Sequence, residues 1–405
     1  MKAYKAAAIL TLAASLALAT GCGSRTEPTT TEGSGETEDK VAKIGVIAPL
    51  TGDLSSFGKG IQYSVQLAVK QANESGAIPG WTLEVVPLDD QATPDVGQNA
   101  ANQLASMDDV IALVGTMNSS VAQPVQPIVD AANIAMVSPA NTNTSLTKGA
   151  DLENPVRPYK SFYRLCASDD KQGPFAAKYL LTKGIKTAAT VHDKKVYGQG
   201  LVDAFTEYYE ANGGKVVAAE TINPEDTDYS TVVTKVKSAN PEIVYYGGEY
   251  PQGAPLSAQM KDAGLKVAEI GGDGNYTTEY QKLAGEAAEG DLTTSVGAPL
   301  DTLDSAKAYL DGYAAGGYDV DPGAYGGYAY DAANVIIEAL KTTLKDAADV
   351  KSAREATVAA IQNVKIEGAT GEIAFDEFGD NTNRVLTVYK SEGDAWVSEY
   401  INTIE

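Results

Sequence analysis

The sequence predicts an α/β protein built from two doubly wound parallel-sheet lobes, and three observations carry that reading. Short apolar runs alternate with segments whose apolar residues recur at helical spacing, the pattern of parallel strands covered by helices on both faces. This alternation comes in two separate runs, which share the pattern but no sequence repeat. The body, from about Val41 to Glu405, is longer than one compact core usually fills, so two domains are expected.

Taken in order, the chain starts with a leader. Lys2 and Lys5 precede an almost unbroken apolar run at 6–19, closed by Leu18-Ala19-Thr20-Gly21-Cys22. The run is too short for a mature helix across a bilayer core of roughly 30 Å, so it reads as a secretory signal. The small residues before Cys22 resemble a lipobox, at which bacterial lipoproteins are lipidated on the cysteine and cleaved before it; Ala19 stands where leucine is more usual. Residues 23–40 are rich in Thr, Glu, Gly and Ser and hold no aliphatic residue before the body, so the segment is expected to be a disordered tether. The expected divisions are 1–21 as signal and 22–40 as lipidated cysteine and linker.

In the body, 43–48 reads as a strand ending at Pro49, and Ile61, Val65, Ala68, Val69 and Ala72 as a helix stopping before Gly76. Strands follow at 83–88, 110–114 and 135–138, with helices at 95–107 and 121–132. Residues 162–166 are strand-like. The second run has strands at 187–192, 215–219 and 242–246, and helices at 200–210, 229–238 and 254–263.

Composition excludes several classes of function. The chain carries 31 Lys+Arg against 54 Asp+Glu, a formal net charge of −23, which repels nucleic acid and anionic membrane surfaces. Cys166 is the only cysteine besides Cys22, so no disulfide forms within the body, and its strand context reads as a small buried hydrophobe. His192 is the only histidine, so no His-based metal cluster exists; no serine sits in a nucleophile elbow and no acidic cluster has metal spacing. No catalytic residue, metal or cofactor is expected. A hydrolase built on two carboxylates stays open, because spatial pairing does not show in a sequence.

Ligands of open parallel sheets sit at the carboxyl ends of strands. In the first run those loops are Pro49 to Thr51-Gly52 with Ser56-Phe57-Gly58, then Gly115 to Ser120, then Ser138 to Thr142. In the second they are His192 to Gly198, Tyr245-Tyr246-Gly247-Gly248, and Gly271 to Tyr276. One set offers hydroxyls and free amides; the other offers aromatic rings and a carboxylate. A zwitterionic amino acid needs both. Ser119 and Ser120 are also placed to cap a helix, Gly272-Asp273-Gly274 is also a common turn, and Tyr325 divides between pocket and core.

At these loops the chain resembles the type I periplasmic binding proteins of ABC importers, most closely the branched-chain amino acid (Leu/Ile/Val) binding proteins. The matching stretches are Ile44-Gly45-Val46 with Thr51-Gly52, Ser119-Ser120 with Gln123-Pro124, Ser138-Pro139-Ala140, Gln172-Gly173-Pro174, Val191-His192-Asp193-Lys194 with Tyr197-Gly198, Tyr245-Tyr246-Gly247-Gly248 and Ala288-Glu289-Gly290. The resemblance implies that Ser119 and the backbone of Ala140 and Thr142 bind a ligand α-carboxylate. Asp273 would hold the α-ammonium, standing where leucine-binding relatives place the longer glutamate, and Tyr197 would close over the ligand. Phe57, Tyr245 or Tyr246, and Tyr325 would wall the side chain. Met117 and Asn118 depart from the apolar residue and disulfide-bonded cysteine of the leucine binders. The resemblance further implies a three-strand hinge, with lobe one at 41–167 plus 301–381 and lobe two at 168–300 plus 382–405. The implied protein is monomeric and extracytoplasmic, held to the membrane by lipid alone. It would deliver an amino acid, branched-chain by resemblance, to ABC permease subunits by closing around it. The alternatives are another small zwitterion, amide or carboxylate as ligand, or a sensory receptor subunit of the same fold.

Overall fold

The computed structural model describes residues 40–404; the expected signal at 1–21, the expected lipidation at Cys22 and the expected linker up to residue 39 lie outside the described residues. Among the described residues no helix is long and apolar enough to cross a membrane.

The first run of alternation becomes β1 (Lys40–Ala48), α1 (Ser55–Glu74), β2 (Trp81–Asp89), α2 (Pro94–Ser106), β3 (Val110–Gly115), α3 (Ser119–Ala131), β4 (Ala135–Ser138), the single turn α4 (Ser145–Lys148) and β5 (Phe162–Arg164). The strands form one sheet in the order β2-β1-β3-β4-β5, with every neighbouring pair parallel. Both faces are covered, which is why β1 and β3 are near-continuous apolar runs. Successive strand residues point to opposite faces, so Val46 and Val114 join the cluster under α1, while Ile47 and Leu113 join the cluster under α2 and α3. The spacing of α1 holds as expected: Ile61, Val65, Ala68, Val69 and Ala72 are all buried.

The second run becomes α5 (Asp169–Thr182), β6 (Thr187–His192), α6 (Val196–Ala211), β7 (Lys215–Thr221), α7 (Ser230–Ala239), β8 (Ile243–Gly247), α8 (Tyr250–Asp262), β9 (Glu269–Gly271), α9 (Thr278–Ala284) and β10 (Leu292–Ser295). There follow α10 (Lys307–Ala315), α11 (Gly326–Thr343), α12 (Val350–Ile361), the small hairpin β11 (Ile366–Gly368) and β12 (Gly371–Ile373), and then β13 (Val385–Glu392) and β14 (Ala395–Thr403). The second sheet runs β14-β13-β10-β9-β8-β6-β7; β6 to β10 are parallel, and β13 and β14 extend it as an antiparallel edge. That edge is a structural addition beyond the purely parallel pattern read from the sequence. Helices α5 and α6 cover one face, and α7 and α8 the other. Helix α11 packs along α1, and α12 against β3, so both belong with the first sheet.

Both sheets have the same switch. The chain goes from β1 outward to β2 and returns to β3 on the other side; likewise it goes from β6 to β7 and returns to β8. At each reversal the loops leaving two neighbouring strands diverge and open a crevice. In the first sheet the loops after β1 and β3 do so. In the second they are the loops after β6 and β8.

Candidate functional site

The crevices of the two sheets face each other across one small cavity of about 10 Å³. Ser119, Ala140, Tyr197, Asp273 and Tyr325 line it, together with Met117, Asn118, Glu249 and Gly274. Of the other residues singled out from sequence, Phe57, Thr142, Tyr245 and Tyr246 are not among this lining. Phe57 lies one ring away, packed edge-on to Tyr325 at 5.1 Å and to Tyr250 at 5.6 Å. Tyr245 and Tyr246 are consecutive residues of β8, so the pleat turns them into opposite faces of the sheet. Tyr245 stacks on Phe205 at 3.9 Å, and Tyr246 sits in the apolar cluster beneath α7 and α8.

The first-sheet wall is made rigid by its own backbone contacts. Ser138, the last residue of β4, accepts from the amides of Ala140 (3.2 Å) and Asn141 (2.9 Å) and donates to Thr116 O (3.1 Å). Arg164 at the end of β5 is fully buried and donates to the carbonyls of Asn141 (3.2 Å) and Asn143 (2.8 Å). Its charge is met by Asp380, at 2.6 Å from Nε. This clamp fixes the 139–144 loop that carries Ala140 and Thr142. Ser119 begins α3, where unpaired helix N–H groups and the helix dipole favour an anion. Its Oγ accepts from the Asn143 amide at 3.3 Å. The buried Thr142 hydroxyl has no hydrogen-bond partner among the described residues.

The second-sheet wall is acidic. Asp273 follows β9 and is fully buried; Tyr197 donates to its Oδ1 at 2.8 Å, Gln172 Nε2 to the same oxygen at 2.9 Å, and Tyr325 OH to its Oδ2 at 2.8 Å. The Asp273 amide donates back to Gln172 Oε1 at 2.9 Å, so glutamine and aspartate hold each other. Burial pushes the Asp273 carboxyl above its ordinary value, against the pull of those three donors. A second carboxylate, Asp169, begins α5 and is 1% exposed, and neither of its oxygens has a hydrogen-bond partner. Burial, reinforced by the charge of Asp273, holds Asp169 well above the usual carboxylate range. Asp273 lines the cavity with neutral donors around it, which makes a place for a cation, and Asp169, outside the lining, adds its field.

Beside them lies a third polar cluster. Glu249 follows Gly248, whose φ of +157° is a conformation open to glycine, and a Cβ there would meet the Tyr246 hydroxyl. Asn118 Nδ2 donates to Glu249 Oε1 at 2.7 Å and Lys195 Nζ to Glu249 Oε2 at 2.8 Å. Burial works to raise Glu249, but the Lys195 charge and the hydrogen bonds hold it below its ordinary value. Asp193 alongside is pushed up to about 8, first by burial and then by the charge of Glu249.

Asp169, Gln172 and Glu249 were not singled out from sequence as site residues. Gln172 was visible only as part of the Gln172-Gly173-Pro174 stretch, and Asp169 carried no signal, because the helix it opens, α5, was not read from the sequence. Glu249 carried a usable signal, since it is the first side chain beyond the glycines that end β8. Among the described residues no group of His, Cys, Asp and Glu has the arrangement of a metal site.

Residues 41–395 match the family described as periplasmic binding protein. The Leu/Ile/Val-binding protein BraC3 of Rhizobium johnstonii is 33% identical over 350 residues, covering 86% of this chain and 91% of that protein. The leucine-, isoleucine-, valine-, threonine-, and alanine-binding protein of Pseudomonas aeruginosa is 32% identical over 358 residues, covering 88% and 91%. Among solved structures, the leucine binding protein LivK of Thermotoga maritima superposes with a TM-score of 0.79 at 28% identity, covering 89% of this chain and 99% of that one. LivJ of Streptococcus pneumoniae in complex with isoleucine gives 0.78 at 25% identity, covering 90% and 99%. The crevices face each other as in a protein that grips a small solute between two sheets, and the match runs nearly the whole length of the described chain. The chain belongs to the periplasmic binding protein family, a family of extracytoplasmic substrate-binding proteins and not of enzymes.

Proposed function

We propose that this protein binds an α-amino acid between its two sheets and delivers it to the permease of an ABC importer. The observation that carries the reading is the buried Asp273, which shares the cavity with Ser119 at the N-terminus of α3 and has the buried Asp169 within its field. An α-ammonium group satisfies Asp273 within the field of Asp169, and an α-carboxylate satisfies Ser119 and the unpartnered Thr142 hydroxyl and amide. Tyr197 and Tyr325, which already donate to Asp273, close over the ligand from either side. The names of the relatives support screening branched-chain amino acids first.

In this reading lobe one holds 41–167 and 301–381, and lobe two holds 168–300 and 382–405. The chain crosses between them near Ala167, Pro299 and Thr382, and hinge bending there closes the cleft. The membership of β13 and β14 in the second sheet, and the packing of α11 on α1, support that division. Lipid on Cys22 and a tether to residue 40 would hold the monomer at the outer face of the membrane. A thermal-shift screen of all amino acids against the purified protein tests the reading. Saturable stabilisation by one or a few of them, with the ligand recovered unchanged, is the expected result. Stabilisation only by a non-amino-acid carboxylate or amide would replace it with the alternative ligand class.

A further inference from the structure

Asn118 occupies the N-cap position of α3, where an asparagine side chain ordinarily accepts from the helix's own amides. Here it makes no such bond. Its Nδ2 reaches across the crevice to Glu249 Oε1 at 2.7 Å instead. Glu249 is kept ionised by Lys195 at 2.8 Å, and an ionised carboxylate only accepts, so the amide of Asn118 has one permitted orientation. The amide nitrogen faces Glu249 and the carbonyl oxygen is turned away from it. That oxygen is buried and has no partner among the described residues, while Asn118 and Glu249 both line the cavity beside Asp273 and Tyr197. Lys195 itself does not line the cavity, so the acceptors face it and the cation stands behind them. A purely aliphatic side chain would cover the Asn118 oxygen and leave it without a hydrogen bond, beside a Glu249 carboxylate that can accept further; a donor would satisfy it.

We propose that Asn118 and Glu249 form a hydrogen-bond-accepting subsite for the ligand's side chain. The protein then selects amino acids with a side-chain hydroxyl or carboxamide over aliphatic ones of the same size. The proposal rests on the amino-acid reading above and narrows its ligand class.

Calorimetric titration with near-isosteric pairs tests it: threonine against valine, and asparagine against leucine. The protein should bind the donor-bearing member of at least one pair about tenfold or more tightly than its partner. Asn118→Leu should bring that ratio to within about threefold or reverse it. Glu249→Gln keeps the shape and can donate to the Asn118 oxygen, so it should shrink the ratio even if Asn118→Leu does not fold. Valine or leucine binding as tightly as its partner in the parent protein, or a ratio untouched by either variant, overturns the subsite and leaves the amino-acid reading standing. Failure of every α-amino acid to bind overturns both.

Discussion

Asp273 and Asp169 are where the chemistry of the cleft is concentrated. Each is buried, and burial raises each above its ordinary value, so both bind a proton more readily than an exposed carboxylate does. Removing the charge of Asp273 leaves a bound ammonium with one counter-charge fewer, and breaking a buried ion pair from one side typically costs about 3–5 kcal/mol. Asp273→Asn should therefore weaken amino-acid binding by about two or more orders of magnitude in a calorimetric titration. The unliganded protein should unfold no earlier, because the amide oxygen still accepts from Tyr197 and Gln172 while its NH2 can donate to the Tyr325 hydroxyl oxygen. Ser119→Ala removes one donor among several and should cost less, about 1–3 kcal/mol. Binding by the Asp273→Asn variant within a factor of about three of the parent would mean that the ammonium is held elsewhere. The same carboxyls set a pH dependence. A bound ammonium favours the ionised form of Asp169, so its pKa in the complex falls below that in the free protein. Across the interval between the two values binding releases a proton, and affinity rises with pH. Titrations in two buffers of different ionisation enthalpy should report net proton release; net uptake would contradict the assignment.

At the scale of elements, Arg164 ties the binding loop to the sheet. Its guanidinium joins β5, the carbonyls of Asn141 and Asn143, the Thr147 hydroxyl and Asp380. Arg164→Met would leave Asp380 uncompensated and free the loop, for a loss of about 3–5 kcal/mol in denaturant unfolding. It should also speed hydrogen exchange at 140–144, although Arg164 does not line the cavity; unchanged exchange there would show that the loop is fixed without it. The strand at 162–166 was legible from its apolar pattern, but the partner Asp380 lies 216 residues further on, beyond the reach of any local pattern. The same limit explains the other differences. Helix α6 begins at Val196, ahead of the 200–210 expected, because its first turn is placed by a close approach of Gly198 to the Gly247 carbonyl and not by an apolar period. Tyr245 and Tyr246 drew notice as aromatics near a strand end, yet a strand buried on both faces sends neighbouring side chains into opposite cores. The residue that reaches the crevice is the acid beyond the glycines, Glu249. Helix–strand alternation and the loops at strand ends were readable because each is a short-range property of the chain. Buried carboxylate pairs such as Asp169 and Asp273 were not, because their 104-residue separation hides that they share one field.

For the molecule as a whole, the contacts between the two sheets decide how ligand can act. Asn118 reaches Glu249 at 2.7 Å, Tyr325 reaches Asp273 at 2.8 Å, and Asn143 Nδ2 reaches the carbonyl of Val196 at 2.9 Å, each linking a first-sheet loop or helix start to the second sheet's side. The Lys148–Asp170 ion pair at 2.7 Å and the Phe57–Tyr250 ring contact add to them, and Tyr325 and Asp273 are groups that the proposed ligand would also engage. A ligand shifts an equilibrium between open and closed forms only by its differential affinity for the two. An amino acid held at one end by Ser119 and Thr142, and at the other by Asp273 and Tyr197, has that difference built in, since only the closed arrangement offers both ends at once. Small-angle scattering should therefore record a smaller radius of gyration at saturating amino acid than without it. The Asp273→Asn variant at the same ligand concentration should keep the larger value, and should reach the smaller one only at concentrations raised in proportion to its weaker binding. An unchanged radius for the parent protein at a saturation verified by calorimetry would mean that ligand enters a cleft that does not move, and hinge closure would have to be abandoned as the signal read by the permease.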